Sequence, residues 1–215
     1  MSIIVVDKPK GWTSNDVVQK IKHHFEYRKV GHAGTLDPNA TGILIIGYNE
    51  STKDLSKLIL DNKEYEAEIQ FGFQTDSYDI CGKTLKTCDS SHITIDEIIK
   101  ALNTLKNSDY WQTPPIFSAK KINGTPMYKI ARQNHKIINI NPVKVKLHDF
   151  QIISFKESIL KLKILVSKGF YVRSLANDLG GRLNSCATLI NLRRTKSGNF
   201  NIEDAIPLSK LIKDN

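Results

Sequence analysis

Asp37 is the one carboxylate in Gly31-His32-Ala33-Gly34-Thr35-Leu36-Asp37-Pro38-Asn39-Ala40-Thr41-Gly42, a segment with three glycines and a proline. Pro38 disfavours the helical region for the residue before it, so Asp37 is presented from an extended backbone. Two uses fit such a residue. It can close an Asp-Pro turn through an Asx-type hydrogen bond, or it can act as a nucleophile. A nucleophilic carboxylate must stay ionised in a partly dry pocket, where burial alone raises its pKa. An arginine is the natural counter-charge, and Arg173, with Gly169 and Tyr171 beside it, is a candidate for it. Its guanidinium is always protonated and its planar fork suits a carboxylate. The competing reading of an Arg at a helix start is a solvated surface residue.

Other motifs fail. Gly82-Lys83-Thr84 invites a phosphate-loop reading, but Ser77 stands where the pattern needs its first glycine. No Gly-x-Gly-x-x-Gly, paired Cys-x-x-Cys or His-Glu-x-x-His occurs, so no nucleotide cofactor or metal is expected. Cys81, Cys88 and Cys186 suit neither a disulfide framework nor a zinc knuckle, and reduced thiols are expected. An aspartyl-phosphate phosphotransferase would need a second acid near Asp37 for magnesium, where Asn39 and Thr41 stand instead.

The elements that must position these residues read as one α+β domain, a mostly antiparallel mixed sheet flanked by helices and loops. Residues 3–6 form a β-branched strand, and Ser14 is the expected N-cap of a helix carrying Val17, Val18, Ile21 and Phe25. Residues 31–42 form a loop, 43–46 a strand and 54–60 a short helix. Tyr65, Ala67, Ile69, Phe71 and Phe73 alternate with mostly polar residues, the mark of a half-buried strand. Thr94 and Glu97 form a capping box ahead of Ile98, Ile99, Leu102 and Leu105. Asn123-Gly124 marks a tight turn, and Pro126 opens a helix through Arg132. Strands at 143–147, 160–166 and 192–196 and a helix at 172–183 complete the pattern.

With 215 residues, 40% of them hydrophobic, the chain can bury one good core. Lys and Arg outnumber Asp and Glu by 31 to 22, a net charge of +9, which fits either a generally basic protein or one with a phosphate-bearing partner. No window reaches a membrane span and no targeting segment is visible, so a cytoplasmic protein is expected.

Residues 31–42 match, at every fixed position, the signature Gly-His-x-Gly-x-Leu-Asp-Pro-x-Ala-Thr-Gly. The sequence there closely resembles the TruB family, the pseudouridine synthases that modify uridine 55 in the T-loop of tRNA. The resemblance continues through Asp7-Lys8-Pro9, Gly11 and Ser14, through Lys63-Glu64-Tyr65, and through Thr75-Asp76-Ser77-Tyr78-Asp79-Ile80-Cys81-Gly82. It extends over the segment from Pro115 to Arg132, Gly169-Phe170-Tyr171-Val172-Arg173, and Leu192-Arg193-Arg194-Thr195.

The resemblance implies an isomerase that needs no ATP, metal or redox cofactor. It flips a uridine out of the RNA, with Asp37 as nucleophile at ribose C1′ or pyrimidine C6, or assisting glycal formation. Tyr65, otherwise a core aromatic, would stack on the flipped uracil with its hydroxyl near C5. Tyr171 and Leu192 would line the pocket, and His32 would fill the space the base leaves. Lys8 would support the loop or hold a phosphate. A basic RNA-clamping insertion at about 115–141 would carry Lys120, Lys121, Lys129, Arg132 and Lys136 around Tyr128. The implied partner is the T-arm of tRNA, bound by a monomeric catalytic domain spanning 1–215, with no membrane association. Phe170 replaces a usual Thr and Ile45 a common Pro. The further C-terminal RNA-binding domain of many relatives is not expected, which implies weaker tRNA binding or heavier reliance on the insertion. A non-catalytic RNA-binding protein on the same scaffold is the main rival, and the set Asp37, Tyr65 and Arg173 argues against it.

Overall fold

The β-branched run at the N-terminus forms β1 (Ile3–Lys8), followed by α1 (Ser14–His24), β2 (Val30–Ala33) and β3 (Thr41–Tyr48). The computed structural model describes residues 2–59, 62–118, 121–122, 124–127 and 140–212, with the backbone alone at 121, 122, 125 and 126. A 3-10 turn (Asn49–Lys53) and α2 (Leu55–Leu58) lead to β4 (Lys63–Phe71), β5 (Phe73–Thr75) and β6 (Thr84–Thr87). Then come α3 (Ile95–Lys106), β7 (Tyr110–Gln112), β8 (Lys121–Ile122), β9 (Thr125–Pro126) and β10 (Val143–Val145). They are followed by β11 (Leu147–Lys156), β12 (Ile159–Val166) and α4 (Val172–Arg182). The last described elements are β13 (Ala187–Ser197), β14 (Phe200–Asn201), β15 (Ile206–Pro207) and α5 (Leu208–Leu211). The chain divides into two compact units, Met1–Glu66 with Leu192–Asn215, and Ala67–Asn191.

In the first unit β3 is the central strand. It pairs antiparallel with β1, from Ile3↔Gly47 to Lys8↔Gly42, and with β2, from Val30↔Tyr48 to Ala33↔Ile45. It also runs parallel to β13 at Arg193↔Thr41 and Arg194↔Gly42. Gly42 to Gly47 are all buried, because both faces are covered. Val17, Val18 and Ile21 of α1 pack with Val6, Leu44 and Ile46 on one face, and Ala33 and Leu55 pack with Ile43 and Ile45 on the other. A strand covered twice loses the period-two alternation of a half-buried one, and each such aliphatic side chain contributes about 1.5–3 kcal/mol of burial.

The start of α1 corrects the expected cap. Thr13, not Ser14, is the N-cap: its hydroxyl accepts from the Asp16 N–H at 3.0 Å, and its own N–H donates to the Asp16 carboxylate at 2.8 Å. The acid three residues after Thr13 decides this, since a capping box needs that spacing. The Ser14 hydroxyl is thereby left for another use. The expected loop at 31–42 is also shorter, because its first residues belong to β2.

In the second unit β4 alternates as expected, with Ala67, Ile69 and Phe71 buried, and lies beside β12 in the order β11-β12-β4. The strand stops at Gly72, so Phe73 opens β5 instead of ending β4. The expected strand at 143–147 is β10 at Val143–Val145, and the ten-residue strand Leu147–Lys156 that follows was not expected beyond Leu147. α3 begins at the expected capping box, with Thr94 N–H donating to Glu97 at 2.9 Å.

Cys88 and Cys186 form a disulfide, against the expected reduced thiols. Gly72 explains what the 98-residue separation hides: Cys88 N–H donates to Gly72 O and Gly72 N–H to Cys186 O, both at 2.8 Å, so the two cysteines flank one residue. β8 and β9 pair about the turn at Gly124, which puts Pro126 in a strand where a helix was expected. Met127 is helical, as expected; residues 128–132 of that expected helix, and the basic cluster Lys120, Tyr128, Lys129, Arg132 and Lys136, lie outside the described residues. Among the described residues no helix is long and apolar enough to cross a membrane.

Candidate active site

Residues 34–40 carry Asp37 on a backbone tied from several sides within the first unit. Ser14 Oγ accepts from the Leu36 N–H at 2.9 Å and donates to the Leu36 carbonyl at 3.0 Å, which satisfies both backbone groups beside the aspartate. The Pro38 carbonyl accepts from Gly11 N–H at 2.8 Å and from the Lys8 ammonium at 3.3 Å. The Ala40 N–H closes the Asp37-Pro38-Asn39-Ala40 turn onto the Asp37 carbonyl at 3.0 Å. Arg194 donates to the Ile43 carbonyl at 2.8 Å and to the Gly34 carbonyl at 3.0 Å, which pins the start of the segment. At its end Gly42 has φ +98, and a Cβ there would lie 2.2 Å from the Arg194 carbonyl oxygen, so only glycine lets β13 run this close to β3. Asp37 is half-buried on this fixed frame.

Two buried cations, Lys8 and Arg194, bond to the segment. Lys8 has no exposed surface, and its ammonium also donates to the carbonyls of Trp12 at 2.6 Å and Pro9 at 2.9 Å. Three carbonyl partners match its three N–H donors, so of the two uses expected for Lys8, geometry favours support of the loop over a phosphate contact. Burial pushes its pKa down to about 8 and the Arg194 charge adds to the fall, against the opposing pull of Asp37. His32, in β2, is lowered by burial first and by Arg194 second, which keeps its imidazole neutral near pH 7. Its Nδ1 is buried without a hydrogen-bond partner among the described residues.

Arg173 lies in the second unit, in the first turn of α4 and 4% exposed. This excludes the solvated surface reading. Its guanidinium donates to the carbonyls of Phe117 at 3.0 Å and Ser77 at 3.2 Å and stands 3.6 Å from the Asp79 carboxylate. The turn that presents it is held by β7. Gln112, fully buried, accepts from Tyr171 N–H at 2.9 Å and donates to the Tyr171 carbonyl at 3.1 Å. Ser174 Oγ donates to the Thr113 carbonyl at 2.8 Å, and Tyr110 Oη to Asp178 of α4 at 2.7 Å. Burial raises both the Asp178 carboxyl and the Tyr110 hydroxyl above their ordinary values.

Tyr65 is the third residue of β4 and Leu192 lies in β13; both belong to the first unit and are largely buried. Tyr171 caps α4 in the second unit. The Lys121 backbone lies in β8. Arg132 is outside the described residues. Asp37, His32, Lys8, Tyr65 and Leu192 thus share one unit, and Arg173 and Tyr171 the other.

The sequence matches the TruB family pseudouridylate synthase N-terminal domain over residues 22–172. The chain belongs to the TruB family. It is 52% identical over 212 residues to a tRNA pseudouridine synthase B of Ureaplasma urealyticum, covering 98% of this chain and 92% of that protein. To the protein of the same name in Malacoplasma penetrans it is 44% identical over 216 residues, with 98% and 91% covered. Its fold is similar to a chain of an H/ACA ribonucleoprotein bound to a substrate RNA containing 2′-deoxyuridine, with TM-score 0.72 and 25% identity over 98% of this chain and 52% of that one. The chain therefore spans about half the length of that protein. The family carries pseudouridine synthase activity on tRNA, an isomerisation of uridine in place.

Within this TruB-family chain, sequence reasoning missed four supports of the candidate site: the Arg194 fork, the Ser14 hydroxyl, Asp79 and Gln112. Arg194 and Asp79 both sit in stretches that resembled the family, but nothing in their spacing says that the side chains are buried. For Gln112 no sequence signal exists. Its partner is a backbone amide 59 residues away.

Proposed function

We propose that this chain converts uridine 55 in the T-loop of tRNA to pseudouridine, with Asp37 as nucleophile, both units acting as one catalytic domain in a monomer. The observation that carries this reading is the backbone of residues 34–40, tied by Ser14, Gly11, Lys8 and Arg194 around one half-buried carboxylate. A pre-set frame of this kind supports attack, because aligned reactants replace entropy that would otherwise be lost at the barrier.

The target nucleotide leaves the stack at a cost of a few kcal/mol. Asp37 adds to ribose C1′ or pyrimidine C6, or assists glycal formation. The N1–C1′ bond breaks, the base turns, C5 bonds to C1′, the C5 proton leaves while N1 takes one up, and Asp37 is released as the free carboxylate, so no atom is gained or lost. Arg173 serves as counter-charge that keeps Asp37 ionised. Tyr65 stacks on the uracil with its hydroxyl near C5, while Tyr171 and Leu192 wall the pocket. Neutral His32 fills the vacated space. Lys8 steadies the loop. Lys121 and Arg132, in the segment 115–141, hold RNA phosphates.

Asp37→Ala tests the chemistry: pseudouridine in a T-loop transcript should vanish while RNA affinity stays within about twofold. Product formed by the variant sinks the mechanism. Mapping pseudouridine in total tRNA from cells with and without the gene tests the position, and an unchanged position 55 removes that assignment.

A further inference from the structure

The exposed cations of this chain are not distributed evenly. Lys53 pairs with Glu50 at 3.0 Å, Lys57 with Asp54 at 2.8 Å, Lys106 with Asp149 at 2.7 Å and Lys144 with Asp109 at 2.8 Å. Residues 20–29, Lys-Ile-Lys-His-His-Phe-Glu-Tyr-Arg-Lys, instead carry four Lys or Arg and two His against one Glu. Among the described residues none of Lys20, Lys22, Arg28 and Lys29 holds a carboxylate.

Local structure gathers these charges on one surface. α1 buries Val17, Val18 and Ile21, so Lys20, His23 and His24, three and four residues apart, share the exposed face. The chain then reverses through Glu26 at φ +53. Tyr27 N–H donates to Lys22 O at 3.1 Å and Asn49 N–H to Lys29 O at 2.7 Å, which keeps exposed Arg28 and Lys29 beside the helix end. Phe25, Tyr27 and Tyr48 stack at 5.4 and 4.1 Å between ring centres, and Phe25 and Tyr27 pack on the core, a floor for the patch. The helix dipole accounts for cations in the last turn of α1. It does not account for Arg28 and Lys29, which lie beyond the helix. From the patch, β2 runs four residues, roughly 13 Å at 3.3 Å each, to the segment carrying Asp37.

We propose that this patch is a phosphate-positioning surface for the double-helical part of the RNA substrate. It grips the backbone one strand length from the Asp37 loop, so that a stem held there presents its loop to the carboxylate. The inference rests on RNA being the substrate. The contacts read no sequence, because cations meeting phosphates gain affinity by releasing counterions.

The test compares three variants of the full chain on a T-arm RNA hairpin, with Kd followed against salt. Lys20→Ala/Arg28→Ala/Lys29→Ala should lower the slope of log K against log salt by about 2 to 3, at roughly 0.9 per duplex phosphate. It should raise Kd about 10- to 100-fold near 0.15 M salt, with kcat at saturating RNA within about twofold. Lys100→Ala/Lys156→Ala/Lys210→Ala removes the same charge from scattered exposed sites and should change the slope by less than about 1. Lys20→Arg/Arg28→Lys/Lys29→Arg keeps the charge and should retain wild-type affinity, with a matching melting temperature. Equal losses in the first two variants, or a loss in the third, overturn the proposal. Wild-type protein that binds the hairpin but makes no pseudouridine would sink the enzymatic reading and leave the binding result standing.

Discussion

The Asp37 segment and the Arg173 turn differ in where their hydrogen bonds fall. Around Asp37 the ties go to the backbone: Leu36, Pro38, Gly34 and the Asp37 carbonyl itself are all engaged. Around Arg173 they go also to the functional group, whose guanidinium meets two carbonyls and a carboxylate. The difference suits the two proposed roles. A nucleophile that attacks one atom and later releases it needs a backbone of fixed origin. A counter-charge is worth most when it does not reorganise.

The sharpest break in this comparison is between stability and turnover. Asp37→Asn should lose more than about 10⁴-fold in turnover with little change in unfolding free energy. Arg173→Met should lose turnover and also about 3 kcal/mol of stability, because it removes the cation beside the largely buried Asp79 carboxylate and the donors to the Ser77 and Phe117 carbonyls, while Asp79 keeps its bonds from Ser77 Oγ and Cys81 N–H. Denaturant titration of both variants decides the matter. If Arg173→Met is as stable as wild type, the guanidinium is not held as described.

Next in size is Gly42→Ala. The added Cβ would sit 2.2 Å from the Arg194 carbonyl at a φ of +98, so β13 must move away from β3 or the turn must change. A cost of several kcal/mol is expected from overpacking and strain together. Activity should fall with it, since Arg194 also anchors Gly34. A crystal structure of the variant showing Arg194 still bonded to Gly34 would contradict that coupling.

How far these regions could be read from sequence follows from the same contrast. The Asp37 segment is local: glycines, Pro38 and the carboxylate lie within twelve residues, and their types alone point to a rigid presenting turn. The alternation from Tyr65 and the Thr94 and Glu97 capping box were legible for the same reason, as patterns of period two and of spacing three. The Arg173 turn depends on Ser77, Asp79, Gln112 and Phe117, all more than fifty residues away. Ser14 shows the limit within a few residues. A serine ahead of an apolar helix reads as a cap, and only the fold reveals Thr13 in that role with Ser14 turned to Leu36. The Cys88–Cys186 disulfide was missed because chain separation says nothing about two residues that flank Gly72 in space.

Smaller effects test each frame by its ties. Ser14→Ala removes both bonds to Leu36 and should cost about 1–3 kcal/mol, since two buried backbone groups lose their partners. If the frame positions Asp37, kcat should drop about tenfold with KM unchanged. Gln112→Glu keeps the acceptor for Tyr171 N–H and loses the donor to its carbonyl. It should lower kcat more than Ser14→Ala if the Arg173 turn tolerates less motion, and Gln112→Asn, too short for both bonds, should not rescue it. Equal effects on KM and kcat in either variant would point to a general loss of fold.

Lys8 is the gentlest probe, because pH alone changes it. Its pKa is lowered to about 8, chiefly by burial, so the folded protein holds this proton less tightly than the unfolded chain does. Between about pH 8 and the ordinary lysine value near 10.4, the unfolded state therefore binds more protons, and this residue makes stability rise with pH. Below about 8 its contribution is level. The loop responds in the opposite sense. A neutral amine has two N–H donors for three carbonyls, so one of Pro9, Trp12 and Pro38 loses its bond. Wild type minus Lys8→Met, compared by denaturant unfolding from pH 7 to 10, should show a stability difference that grows above pH 8 by up to about 1 kcal/mol per unit. Turnover of the wild type should decline over the same range. A stability difference that shrinks instead would mean that Asp37 outweighs burial at Lys8, and that the ammonium is held as the partner of the carboxylate more than as a tie beneath its loop.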